Sequence, residues 1–494
     1  MLTRLVPALL VLWLVLLPLR TAQAQDSLPA PVLEALRAAG LPADALAAVA
    51  LPLRHRDRAW RHRAQMPMQP GSSMKLVTSI VALDRLGPNH RGFTELRSAA
   101  PLQAGTLQGD LVLKGGADVE LDVPQLWALL IDLQQAGVRH VEGDLIVDRT
   151  LFRPARLDLG LAPFDETPEF PYNVIPDALG LAGSLLPIEL RATDSGVVAS
   201  TVPAIDGIDF ESRLTLVQAR CADWDDHWQR ASVEARGGRT QIVLNGAFPR
   251  GCTQRVALQL IDRQELTERL FRSLWQGLGG TWAGRAREAA APAQTRLLAR
   301  HTSRPWGELL RHLNKQSDNA WTRTLYLQLG LADMAMQPEG STLDLAAAAV
   351  RQWLSQHGID DAGLVLDNGS GLSRGERISP WQLARMLEVA YFGRHAAELQ
   401  MSLPTAGIDG TMRNRLKDSP ATGWARLKTG TLRNVVALAG YVNDAQGRPW
   451  AVAMMINHEH ASRGRPVLDA LVDHIARHAP HPAAPMIGPL GEGP

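Results

Sequence analysis

The stretch Pro70-Gly71-Ser72-Ser73-Met74-Lys75 places a hydroxyl and an amine three residues apart. On a helix that spacing puts both groups on one face. The pairing stands out because lysine is scarce. Only Lys75, Lys114, Lys315, Lys417 and Lys428 occur, and the rest of the 51 basic residues are arginine. Arginine stays charged at any working pH, whereas a buried lysine can shed its proton. A neutral Lys75 one turn beyond Ser72 can therefore take the hydroxyl proton. A helix N-terminus just after Pro70-Gly71 would favour the developing alkoxide. Ser73 has Leu76 at the same spacing and so lacks a base. Taken alone, S-x-x-K fits a simple helix cap equally well.

Two further stretches carry groups suited to acyl transfer. Ser317-Asp318-Asn319 offers a hydroxyl and an amide two residues apart, able to enter one cleft from a tight turn. Lys428-Thr429-Gly430-Thr431 lies at the end of a predicted strand. There Lys428 can hold a carboxylate and Thr429 offers a hydroxyl. Gly430 lets a substrate backbone run close to the strand edge. The N–H of Thr431 can join that of Ser72 as an oxyanion hole. Each stretch alone is an ordinary turn. In this order they form the S-x-x-K, S-D-N, K-T-G set of penicillin-binding proteins and class A β-lactamases.

Other clusters are weaker. His458-Glu459-His460 would face two imidazoles to one side of a strand, but no third ligand is apparent, so neither metal nor cofactor is expected. Cys221 and Cys252 have no histidine arrangement that suggests a nucleophile or a zinc site. Export would favour a disulfide between them, and two buried thiols remain the open alternative.

The elements that position these groups can be read from pattern. At 494 residues, with 46% hydrophobic and 20% charged residues, the chain suits a soluble protein of several domains. A net charge of +1 gives no global reason to bind nucleic acid. The basic run Arg54–Arg63 reads as a solvated hairpin, with a patch for anionic polymer as the lesser reading. Residues 1–24 show the charge, apolar run and A-x-A pattern of a secretory signal peptide. The predicted mature chain is therefore periplasmic, with cleavage near Ala24 and no later membrane span. LAAVALPL and AWRHRAQM read as paired strands, and SMKLVTSIVALDRLG as a helix. GDLVLKGG and GDLIVDRT are strand-like near-repeats flanking the helix VPQLWALLIDLQQAG. Short strands follow to about 262, then a helix and a linker-like GRAREAAAPAQ. From about 294 helices alternate with the strands GWARLKTGTL, VVALAGYVND and WAVAMMINH, an α+β pattern.

The long stretch between Ser72 and Ser317 leaves room for two extra domains, which a compact β-lactamase lacks. The chain resembles the D-alanyl-D-alanine carboxypeptidase/endopeptidase family, the low-molecular-mass class C penicillin-binding proteins, over nearly all of its mature length. GDLVLKGGAD, VEGDLIVDRTLF, DNGSGLSR and LPTAGIDGTMRNR carry the likeness further. The resemblance implies an α+β, β-lactamase/transpeptidase-like domain, helices beside an antiparallel sheet, interrupted by two smaller β-rich domains. The expected division is 25–92 with 294–480 for the transpeptidase-like part. It gives 93–190 with 262–293 to one inserted domain, 191–261 to a second, and 481–494 to a disordered tail.

By motif, Ser72 is implied as the acylated nucleophile and Lys75 as its base. Ser317 would relay the proton and Asn319 orient the substrate amide. Lys428 and Thr429 would bind the terminal carboxylate, flanked by Gly430 and Thr431. The implied partners are peptidoglycan stem peptides and β-lactam antibiotics, and the sequence leaves oligomeric state open, as it does the balance of carboxypeptidase and endopeptidase activity. A non-catalytic peptidoglycan-binding module and a β-lactamase or esterase are the alternatives. The intact motifs disfavour the first and the large insertion the second. Two positions depart from the family pattern. Arg323 stands where a glutamate usually follows S-D-N. Val174 stands where some relatives place an acid that recognises a diaminopimelate amine, with Asp177 the nearby substitute.

Overall fold

The computed structural model describes residues 27–334 and 339–478. The expected signal peptide and tail lie outside the described residues. A five-stranded antiparallel sheet runs in the order Arg426–Leu432, Val435–Asn443, Pro449–Asn457, Leu46–Pro52, Trp60–His62. The K-T-G-T stretch is thus on an edge strand. The central strands, LAAVALP, VVALAGYVN and PWAVAMMIN, are almost wholly buried. Side chains alternate across a strand, and both sets here are apolar because both faces are covered. Ala48, Val452 and Met454 pack with Leu36, Leu468 and Val472 of the helices Ala30–Ala39 and Arg465–Arg477. Val49, Leu51 and Met455 pack with the opposite helical layer.

That layer is built around Lys75–Arg85, in which every residue from Lys75 to Leu83 is buried. Around it lie Trp306–Gln316, Asn319–Leu329, Thr342–Gln356 and Pro380–Phe392. The expected strand pair around the basic run is present, with Ala48 opposite His62 and Ala50 opposite Trp60. At its turn Arg56 grips the buried Glu388 at 3.0 Å.

Between the two halves of this unit the chain forms further sheets. The near-repeats GDLVLKGG and GDLIVDRT become neighbouring parallel strands, Leu111–Gly116 and Leu145–Asp148, with Leu111 opposite Leu145. The helix Val123–Gln135 crosses over between them, the connection that parallel strands require. Their five-stranded sheet is completed by Phe93–Ser98, Arg296–Thr302 and Ala286–Glu288. Two expectations change here. GRAREAAAPAQ contains an edge strand, Ala286–Glu288, paired in parallel with Leu145–Asp148. Arg296–Thr302 pairs with Phe93–Ser98, so it belongs to the inserted sheet, although the expected junction at 294 gave it to the transpeptidase-like part. Neither pairing is visible locally, because each partner lies more than a hundred residues away. The later strands, Leu186–Thr193 to Thr253–Leu258, form a three-stranded and a four-stranded sheet. Their apolar side chains, such as Ile188, Leu190, Ile242 and Phe248, merge with Leu113, Leu130 and Phe271 into one core. Cys221 and Cys252 are joined by a disulfide, Cα–Cα 5.4 Å.

Candidate active site

Ser72 stands on a 3₁₀ turn, Gly71–Met74, that runs directly into the helix beginning at Lys75. The expected helical start is therefore a tighter turn, yet Lys75 Nζ still lies 3.1 Å from Ser72 Oγ. Ser73 is buried and donates its hydroxyl to the Pro70 carbonyl at 2.7 Å, a purely local bond. Lys75 is fully buried. Its Nζ also meets Asn319 Oδ1 at 2.6 Å and the Ser370 carbonyl at 2.5 Å. Burial, followed by the charges of Lys428 and Arg323, holds its amine well below the ordinary lysine range. A neutral amine has two N–H bonds and one lone pair. The two carbonyl oxygens take the N–H bonds, which leaves the lone pair for the Ser72 hydroxyl.

Ser317 and Asn319 flank a helix junction. Trp306–Gln316 ends at Ser317, which adopts a left-handed conformation (φ 60°). Such a backbone is uncommon outside glycine. Asp318 then caps the next helix by accepting from the Trp321 N–H at 2.8 Å. The aspartate of S-D-N is therefore a cap, and the turn it stabilises points its neighbours at two different amines. Asn319 faces Lys75 through its carbonyl oxygen and donates Nδ2 to the Tyr172 carbonyl at 2.9 Å. Ser317 Oγ accepts from Lys428 Nζ at 2.8 Å. Lys428 is itself fully buried, and burial brings its amine down to about 7.

The edge strand Arg426–Leu432 presses against the Ser72 turn. A Cβ on Gly430 would stand 2.3 Å from the Pro70 carbonyl oxygen and 3.1 Å from Ser72 N. A Cβ on Gly71 would stand 3.1 Å from Thr431 N. The backbones that carry the Ser72 and Thr431 N–H groups are thus in direct contact. Thr429 Oγ1 meets Thr411 Oγ1 at 2.8 Å, on the 3₁₀ turn Gly410–Met412. That turn is anchored by Lys315, whose Nζ contacts Asp409 at 2.5 Å.

All eight residues picked from the motifs therefore lie around two buried amines. Lys75 links Ser72 to Asn319, and Lys428 links Ser317 to the strand carrying Thr429, Gly430 and Thr431. The sequence offered no signal for the Ser370 and Tyr172 carbonyls, because any residue supplies a carbonyl. Asp177 is corrected as a substitute acid. It is buried, and it accepts from Arg149 Nε and Arg263 Nη1, each at 2.9 Å, and from the Leu179 N–H at 2.7 Å. Its carboxylate is committed inside the inserted part.

The model of the D-Ala-D-Ala carboxypeptidase 3 (S13) family matches residues 30–478. The chain belongs to this family. It is 32% identical over 436 residues to a D-alanyl-D-alanine carboxypeptidase of Actinomadura sp. (strain R39), covering 84% of this chain and 78% of that relative. It is 28% identical over 404 residues to the D-alanyl-D-alanine carboxypeptidase DacB of Haemophilus influenzae, covering 79% and 80% of the two chains. The fold is similar to the crystal structure of penicillin binding protein 4 (dacB) from Haemophilus influenzae. The TM-score is 0.72 at 24% identity, over 87% of this chain and 93% of that one. Family and fold agree with the sequence reading: the chain is a serine-type hydrolase of the D-Ala-D-Ala carboxypeptidase class, with an α+β transpeptidase-like fold and added β-rich parts.

Proposed function

We propose that the protein cleaves the D-alanyl ends or cross-links of peptidoglycan stem peptides through an acyl-enzyme on Ser72. The observation that carries this reading is Lys75 Nζ, buried, 3.1 Å from Ser72 Oγ and turned to it by two carbonyl acceptors. Ser72 Oγ attacks the carbonyl carbon of the penultimate D-alanine while Lys75 takes its proton. The oxyanion is met by the N–H groups of Ser72 and Thr431. The C–N bond then breaks, and the leaving amine of the terminal D-alanine receives a proton through Ser317. Water hydrolyses the Ser72 ester, with Lys75 again as base. Asn319 orients the substrate amide. Lys428 and Thr429 hold the terminal carboxylate, and Gly430 lets the peptide lie along the strand edge.

A β-lactam presents a strained amide and a carboxylate to the same groups, so it acylates Ser72 and leaves slowly. The substrate is wall polymer and the N-terminal segment reads as an export signal, so the site of action is the periplasm. Among the described residues no helix is long and apolar enough to cross a membrane. In this reading the transpeptidase-like part comprises 25–92 and about 303–480, with the inserted parts between. Release of D-alanine from an acyl-D-Ala-D-Ala peptide tests the proposal. The protein should release one equivalent per peptide and Ser72→Ala none; unchanged release by Ser72→Ala would overturn it.

A further inference from the structure

Beneath the cleft lie two buried ionisable side chains to which the reaction above gives no step. Arg323 is 7% exposed and Glu376 fully buried. Arg323 stands one turn beyond Asn319 on the same helix. Its guanidinium donates to the carbonyls of Asn173 (3.2 Å) and Val174 (2.7 Å), beside the Tyr172 carbonyl that receives Asn319. It also reaches the Leu372 carbonyl at 3.5 Å. One side chain thus spans the Asn319 helix, a turn of the inserted part and the 367–374 loop.

Glu376 shapes that loop. One carboxylate oxygen accepts from the N–H groups of Asp367 (3.3 Å), Asn368 (3.1 Å) and Gly369 (2.8 Å). The loop so folded presents the Gly369 carbonyl to Thr78 Oγ1 at 2.8 Å and the Ser370 carbonyl to Lys75 Nζ at 2.5 Å. Its next residue, Gly371, lies against the Gly71 carbonyl and Ser72 N. Among the described residues, no hydrogen-bond partner meets the other Glu376 oxygen, Arg323 Nε or the Tyr326 hydroxyl, all buried.

We propose that Arg323 and Glu376 act as a pair of positioning residues for the catalytic centre. Arg323 locks the Asn319 helix to the 172–174 turn and the 367–374 loop. Glu376 sets that loop so that the Ser370 carbonyl holds Lys75 against Ser72. The inference rests on the Ser72 acyl-enzyme reading. The pair has a second consequence: burial pushes the Glu376 carboxyl up, and in their ionised forms Glu376 and Arg323 bear on Lys75 with opposite sign. Arg323, like Lys428, disfavours the protonated amine, whereas Glu376, like Asp318, favours it. Asp367 and Tyr326 are the other titratable groups that bear on Glu376 or Arg323.

The test is the rate of acylation by benzylpenicillin against pH, followed by intact mass, with thermal unfolding recorded for each variant. Arg323→Gln should displace the acidic limb to higher pH and Glu376→Gln to lower pH, each by about half a unit or more. The double variant should return the limb close to its original position. Arg323→Lys keeps the charge but not the planar fork, so it should leave the limb in place and lower the plateau by about tenfold. Coincident limbs, or limbs displaced in the same direction, would overturn the proposal. If Arg323→Gln does not fold, Glu376→Gln decides, and an undisplaced limb overturns it. A wild-type protein that is not acylated at all would overturn the Ser72 reading itself, a result distinct from undisplaced limbs in an acylated protein.

Discussion

At the scale of the residue, the chemistry rests on two buried lysines, each with its charged form disfavoured by burial. Burial and neighbouring cations hold the Lys75 amine well below the ordinary lysine range. Lys75→Arg keeps a cation at the position but cannot shed its proton, so acylation should fall by about 10²–10⁴-fold. A rate close to that of the wild type would remove Lys75 as the base. Acylation by penicillin should also reach its plateau well below pH 10.5, the ordinary value for a lysine. A rate that climbs until that pH would contradict the depressed amine. Lys428 behaves differently. Burial brings its amine down to about 7 in the free protein. Holding a carboxylate favours its charged form, and binding should draw in a proton. Calorimetry of Ser72→Ala with an acyl-D-Ala-D-Ala peptide at pH 8, in buffers of differing ionisation enthalpy, should show uptake approaching one proton. No uptake would mean that Lys428 does not meet the carboxylate.

At the scale of the element, the site is an encounter of backbones as much as of side chains. Gly371 has φ +84°, and a Cβ there would stand 1.9 Å from the Gly71 carbonyl oxygen and 2.8 Å from Ser72 N. Gly371→Ala must therefore move the 367–374 loop or the Ser72 turn. It should cost about a hundredfold or more in acylation rate, since a small misplacement at the reacting centre has effects of that order. An unaffected rate would show that the loop is not in contact with the nucleophile turn as described. These contacts also mark how far the sequence could be read. Ser72 and Lys75 were legible because helical spacing couples neighbours, and the three motifs were legible as a set. Arg323 stood out only as a departure, and Glu376 not at all. Arg323 donates to backbone carbonyls in segments distant along the chain, and Glu376 accepts from nearby backbone N–H groups that almost any residue type could supply. The strand Arg296–Thr302 was placed on the wrong side of a junction because its partner too is distant along the chain. Asp177 looked available because its partners, Arg149 and Arg263, come from other elements.

At the scale of the whole molecule, a two-faced antiparallel sheet with its helices supplies the site. The inserted sheets, sharing one core of their own, send the 172–174 turn to its rim. The Cys221–Cys252 disulfide closes a loop with a sequence separation of 31 within the inserted part. Replacing both cysteines by serine should lower stability by about 3–4 kcal/mol on the chain-entropy account, read from denaturant midpoints; an unchanged midpoint would contradict that role. The central claim is the acyl-enzyme on Ser72. It is tested most directly by the intact mass of the whole protein after incubation with benzylpenicillin, beside Ser72→Ala. The account predicts a lasting adduct of one penicillin per chain, carried by a peptide containing Ser72 and missing from the variant. An adduct of equal yield on Ser72→Ala, or no adduct on a folded wild-type chain, would contradict it.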